Sequence, residues 1–235
     1  MEYLPGLTLE EVVAGDGPQP ASRVAHVLKQ VLGSLGEAHA VGLIHRDVKP
    51  SNVILCERGG LSDVIKVLDF GLARELDSAD GLSQTGALVG TPLYLAPEAV
   101  RSATLDHRSD LYAVGAVGYL LLTGRPVFEG RTVVEVCGHH MHTPPVSPSK
   151  RLGRPVPALL ESFILSCLAK DPGDRPQTAE AATARLADLD ERPWAQTDAR
   201  AWWASVGEKL VSTRRIDDIA AEATRSGPLV PGEIG

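Results

Sequence analysis

The chain has 235 residues, a formal net charge of −7, 43% hydrophobic residues and only 4% aromatics. That is length for one large domain or two small ones, with a core filled by aliphatic side chains. The acidic balance excludes a general nucleic-acid-binding surface, which needs a basic face, so any phosphate chemistry must rest on local positive charge. The three cysteines, Cys56, Cys137 and Cys167, are scattered and form no CxxC pair, the pattern of a reduced, cytoplasmic protein. The first residues, "MEYLPGLTLEE", carry no signal-peptide pattern. The longest apolar run, Leu111 to Leu122, is too short to span a bilayer and reads as a helix buried in a core.

In chain order, the first clear element is a helix from Ala21 to Ala40. Val24, Val27, Leu28, Val31, Leu32 and Leu35 share one face, Pro20 suits the first turn and Gly42 the C-terminal end. Three short apolar runs follow, at Leu43 and Ile44, Val53 to Leu55, and Val64 to Leu68; their Val, Ile and Leu content and polar separators predict short strands. Gly71 to Gly90 reads as a long loop. The apolar helix comes next, with Ser109 or Asp110 placed to cap its N-terminus. Pro157 to Ala169 and Thr178 to Leu189 read as further helices joined by "KDPGDRP", and Thr197 to Leu210 sets Trp202, Trp203, Val206 and Leu210 at helical spacing. Residues 226–235 read as a disordered tail.

The polar residues carry the chemistry. "HRDVKPSN" puts Asp47, Lys49 and Asn52 on one loop; "DFG" follows at Asp69 to Gly71, and "GTPLYLAPE" runs from Gly90 to Glu98. Taken singly, each of these residues fits an ordinary solvated surface. Together, in this order and spacing, they resemble the signature set of protein kinases, and specifically the bacterial-type (Hanks-type) serine/threonine protein kinases.

The resemblance implies transfer of the γ-phosphate of ATP, with Mg²⁺, to Ser or Thr hydroxyls of protein substrates. Asp47 would accept the hydroxyl proton and hold it in line, and Lys49 would lie against the γ-phosphate. Asn52 and Asp69 would offer Mg²⁺ the oxygen ligands that hard cations take. Lys49, two residues past the Asp, matches the Ser/Thr class, and Thr91 would face the catalytic Asp where substrate docks. Arg46 would bind a phosphate on Ser83 or Thr85, since a phosphate adds about −2 charge and pairs well with a guanidinium. Glu98 and Arg175 would form a buried ion pair, and Asp110 would tie the buried helix to the catalytic loop. "MEYLPGLTLEEV" resembles the hinge; the backbone of Glu2 and Leu4 would meet the adenine edge, with Ile54 as the apolar floor.

The resemblance begins at this hinge. It implies an α+β, mainly α-helical fold: a protein-kinase-like C-lobe with a small cluster of short β-strands. The expected organisation is a kinase domain of hinge and C-lobe at 1–190, a C-terminal helical extension at 191–225 and the tail at 226–235. The glycine-rich loop, the "VAIK" lysine and its Glu partner are not among these residues, so the expectation is a fragment, inactive alone, whose N-lobe is missing. A longer product could be membrane-anchored, but this chain offers no membrane segment. A pseudokinase or scaffold is the alternative function, and a small-molecule phosphotransferase is a further one. Cys137, His139, His140 and His142 invite a metal reading, but their spacing is not a zinc pattern. Trp202 and Trp203 fit packing of the last helix on the lobe better than a partner or membrane contact.

Overall fold

The computed structural model describes residues 5–70, 92–101, 105–187, 189 and 192–214. A two-residue strand, β1 (Leu7–Thr8), leads into helix α1 (Leu9–Asp16). The helix starts through a capping box: Thr8 Oγ1 accepts from Glu11 N at 3.1 Å, and Glu11 Oε2 accepts from Thr8 N at 2.6 Å. Helix α2 (Ala21–Ala40) buries all six residues of its expected apolar face. Gly42, at φ 78°, then reverses the chain.

The strands differ from expectation at one end. Leu43 and Ile44 are not a strand; Leu43 N instead bonds to Ala38 O at 2.9 Å, closing the end of α2. The third strand is β1. The antiparallel sheet runs β1, β2 (Val53–Arg58), β3 (Leu61–Val67), with Leu7 opposite Leu55 and Val53 opposite Val67. A run of two apolar residues has no alternation from which to infer pairing; β1 is a strand only because β2 lies beside it.

After α3 (Pro97–Val100) comes α4 (Arg108–Thr123), in which every residue from Ser109 onward is buried. Neither Ser109 nor Asp110 caps it. The N-cap position is His107, with no side-chain cap bond, and both side chains go to partners elsewhere in the fold. Close packing explains two of its glycines. A Cβ on Gly115 would lie 2.6 Å from Cys167 Cβ, and one on Gly118 would lie 2.8 Å from Leu28 Cδ1 in α2. Helices α5 (Val133–His142), α6 (Pro148–Leu152), α7 (Ala158–Cys167) and α8 (Ala179–Ala187) complete the core around α4.

The last helix, α9 (Gln196–Trp202), passes through a π-helical turn at Trp203–Gly207 and is helical again over 208–214. The turn brings Trp203 against Gly207, where a Cβ would lie 2.6 Å from the indole. Among the described residues, no helix is long and apolar enough to cross a membrane. The fold class is α+β, mainly helical, with one small sheet.

Candidate active site

The loop between α2 and β2 is held from beneath by one carboxylate. Asp110, in the first turn of α4 and 1% exposed, accepts from His45 N at 2.9 Å and from Arg46 N at 2.8 Å. His39 Nε2, from the last turn of α2, donates to the same carboxylate at 2.8 Å. Arg46 sits at φ 66°, a left-handed conformation costing a non-glycine residue about 1–3 kcal/mol unless its surroundings enforce it. The paired bonds to Asp110 enforce it here.

His45 reaches the other way. Its Nε2 donates to Leu68 O at 2.7 Å, which leaves Nδ1 to accept from Asp47 N at 3.3 Å. Phe70 lies edge-on to its ring at 4.8 Å. The loop is thereby fastened to the end of β3, where Leu68 N also donates to Asn52 O at 2.8 Å. Asp69 follows at φ 59°.

On this frame Asp47 is a half-exposed carboxylate with oriented partners. Lys49 Nζ donates to its Oδ2 at 2.7 Å, and Asn52 Nδ2 donates to the same oxygen at 3.1 Å and to Asp47 O at 2.9 Å. Asn52 spends its amide nitrogen on Asp47, so its Oδ1 has no hydrogen-bond partner among the described residues. Asn52 immediately precedes β2 and Asp69 follows β3, so the two residues lie at the same end of the hairpin, and both carry the oxygen atoms that could hold a hard divalent cation. Beyond Asp47 a small pocket is lined by Tyr94, Ala96 and Ala113. Ile54 is half-buried and faces Thr8 across the sheet, and Gly6 passes so close that a Cβ there would lie 2.6 Å from Ile54 Cγ2.

Glu98 and Arg175, far apart in sequence, form a bidentate pair at 2.6 and 2.8 Å. The other guanidinium hydrogens go to the carbonyls of Ala169, Arg108 and Lys170, so all five donors are used, and the Arg175 side chain is fully buried. Ser109 Oγ adds a bond to Glu98 at 2.7 Å. Burial pushes the Glu98 carboxyl up, but the bonds from Arg175 and Ser109 outweigh it and hold the group below its ordinary range.

Glu2, Leu4, Ser83, Thr85 and Thr91 lie outside the described residues. His39 was not singled out in the sequence, and His45, though it opens the HRD motif, was given no role; the fold brings them to Asp110 and Leu68. Among the described residues no group of three or more His, Cys, Asp or Glu is placed to hold a metal. His139 Nδ1 pairs with Thr143 Oγ1 at 2.9 Å, and His140 is buried with Nδ1 2.8 Å from Tyr112 Oη.

A helical lobe of this kind defines the protein-kinase class of fold: a polar loop hangs on a buried helix carboxylate, a hairpin ends in Asp-Phe, and a Glu–Arg lock closes the far side. The chain belongs to the protein kinase domain family, whose model matches residues 1–186. It is 42% identical over 197 residues to serine/threonine-protein kinase pkn3 of Myxococcus xanthus, covering 81% of this chain and 36% of that protein. It is 41% identical over 192 residues to serine/threonine-protein kinase PknB of Mycolicibacterium smegmatis, covering 81% and 30%. The chain thus spans about a third of the length of these curated relatives. Among solved structures it resembles the PknI kinase domain of Mycobacterium tuberculosis, with TM-score 0.59 and 27% identity over 80% of this chain and 63% of that one. It also resembles Rad53 in complex with AMP-PNP, with TM-score 0.61 and 27% identity over 79% and 45%.

Proposed function

We propose that this chain supplies the catalytic loop, the metal-binding oxygens and the floor of the nucleotide site to a serine/threonine protein kinase. The complete enzyme transfers the γ-phosphate of ATP to Ser or Thr hydroxyls of protein substrates. One observation carries the reading: Asp47 is oriented by Lys49 at 2.7 Å and Asn52 at 3.1 Å, with Asn52 and Asp69 at the same end of the hairpin. The names of pkn3 and PknB support the reaction class, and the AMP-PNP bound by Rad53 supports a nucleotide.

In this reading Asp47 accepts the proton of the attacking hydroxyl and aligns it. Lys49 moves its ammonium between Asp47 and the γ-phosphate oxygens, where negative charge must be neutralised. Asn52 Oδ1 and the Asp69 carboxylate would hold Mg²⁺, which would supply positive charge against the nucleotide phosphates. Ile54 lies under the base, whose edge the backbone of Glu2 and Leu4 meets. Arg46 is exposed and has no ion-pair partner among the described residues, which suits a phosphate on Ser83 or Thr85. Thr91 faces the substrate, while Glu98, Asp110 and Arg175 keep the loop and the lobe in place. A complete kinase also has an N-lobe whose glycine-rich loop and Lys–Glu pair cover the phosphates. The catalytic part sits in the cytoplasm, in keeping with three free cysteines, two of them buried.

The test uses the full-length protein with Mg-ATP. Autophosphorylation should fall by about 10²- to 10⁴-fold in Asp47→Asn while nucleotide binding persists. Nucleotide binding without transfer in the unaltered protein would sink the enzyme reading in favour of a scaffold. Ser83→Ala/Thr85→Ala should lower activity; intact activity would remove the role given to Arg46.

A further inference from the structure

The segment 192–214 lies beyond the residues matched by the family model, yet it is built into the lobe through one buried acid. Asp63, near the start of β3, is 1% exposed and sits at φ 57°. Its carboxylate takes a bidentate grip from Arg23 of α2, at 2.8 and 2.9 Å. Two indoles complete it: Trp194 Nε1 donates to Oδ2 at 2.8 Å and Trp203 Nε1 to Oδ1 at 2.8 Å. Trp202 covers the other side of the pair, its ring 3.7 Å from Arg23 Cζ, and donates its own N–H to Asp16 at 2.7 Å. Four charge-assisted or polar donors on one buried carboxylate is a fully satisfied network, and half of it comes from this segment.

The same segment grips both arms of the nucleotide floor. At the turn end of the hairpin, Gln196 takes the Ser62 N–H at 2.9 Å and donates to Ser62 O at 3.0 Å, and Arg200 reaches Gly60 O at 3.2 Å. At the other arm, Arg214 donates to Gly6 O at 2.6 Å, beside the place where Gly6 passes over Ile54. The hairpin connects these grips to the chemistry: β3 carries Asp63 and ends at Val67, two residues before Asp69, while Asn52 immediately precedes β2.

We infer that residues 192–214 form a positioning strap: by seating Trp194 and Trp203 on Asp63 and Arg214 on Gly6, the strap holds the hinge arm and the β2–β3 arm in one geometry, and so sets the affinity for Mg-nucleotide. The inference rests on the kinase reading for its consequence. Packed strands and helices transmit a fixed geometry over such distances when they move as a unit. None of the strap residues touches the reacting groups, so their effect runs through the placement of Asn52, Ile54 and Asp69.

The experiment compares Trp194→Phe/Trp203→Phe with the unaltered full-length protein. Phe keeps an aromatic ring at each position, removes the donors to Asp63 and gives up part of the indole packing, so the readout is KM and exchange and not the melting temperature. With both donors gone, KM for Mg-ATP should rise about five- to tenfold, with kcat changed by less than about twofold. Amide exchange at 65–68 should quicken well below the melting temperature. Arg214→Ala, acting on the other arm, should raise the same KM. A lower melting temperature with unchanged KM and unchanged exchange would mean that the segment only stabilises the lobe, and the inference falls. If the unaltered protein transfers no phosphate, the kinase reading fails separately; the brace is then judged by exchange at 65–68, and equal exchange in the double variant overturns it.

Discussion

At the scale of single residues, the fold depends on a few buried polar groups whose partners are distant in sequence. Arg175 has no exposed side-chain surface, so Glu98→Ala leaves its guanidinium buried with carbonyl partners alone. Breaking a buried pair from one side costs about 3–5 kcal/mol, and urea unfolding of this variant should show a loss of that size. Because the folded Glu98 carboxyl sits below its ordinary value of 4.5, its contribution is present above that value and is lost as pH falls through the lower folded one. His140 acts at a higher pH. Burial, then the charge of Lys170, pushes it from 6.5 down to about 4, while the Leu93 backbone opposes. Tyr112, Phe128 and His139 also face it. The unfolded chain therefore binds the extra proton first, and stability should decline as pH falls from 6.5 to about 4. Melting curves at pH 7 and pH 5 should show a smaller difference in His140→Gln. The Glu–Arg pair was legible from the "APE" and "DPGDRP" motifs. The His140 environment was not, since the same residues in sequence look like an exposed histidine cluster.

At the scale of elements, helices were more legible than strands. The six apolar positions of α2 repeat at helical spacing over about three turns, and α4 is apolar all round, so local sequence was enough. Helix α1 was missed although its capping box was available in Thr8 and Glu11. Glycines separate two kinds of helix position. Gly33 of α2 has open space around a would-be Cβ, whereas Gly115 of α4 meets Cys167. Gly33→Ala should stabilise by roughly 0.5–1 kcal/mol through helix propensity. Gly115→Ala should cost about 1–3 kcal/mol by forcing α4 and α7 apart. Opposite shifts in the urea midpoint check both; equal stabilisation would contradict the packing of α4 on α7.

At the scale of the whole molecule, the site is an assembly of parts that meet only in three dimensions. Asp110 holds the loop, His45 joins the loop to β3, and the segment 192–214 joins the hairpin to Gly6 beside β1. On the proposed reading these parts form a floor, and a bound nucleotide also needs a roof. Mg-ATP at about 100 times its Kd should then stabilise the full-length protein by about 2.7 kcal/mol, seen as a rise in melting temperature. Asn52→Ala should remove most of the Mg²⁺-dependent part of that rise. The same rise with and without Asn52 would contradict its role as a metal ligand.

The sequence by itself determined the family, the loop that gathers Asp47, Lys49 and Asn52, and the main helices. Each depends on residue type and local spacing: Asp47, Lys49 and Asn52 share one loop, and the faces of α2 and α4 repeat with the helical period. Only the tertiary structure decided the rest. The strand at Leu7–Thr8, the two histidines beneath the loop and the three tryptophans around Arg23 and Asp63 take their roles from partners up to 186 residues away, as in the bond from Trp202 to Asp16. Such pairings leave no periodic trace, because a buried carboxylate fixes its donors by geometry and not by their place in the chain.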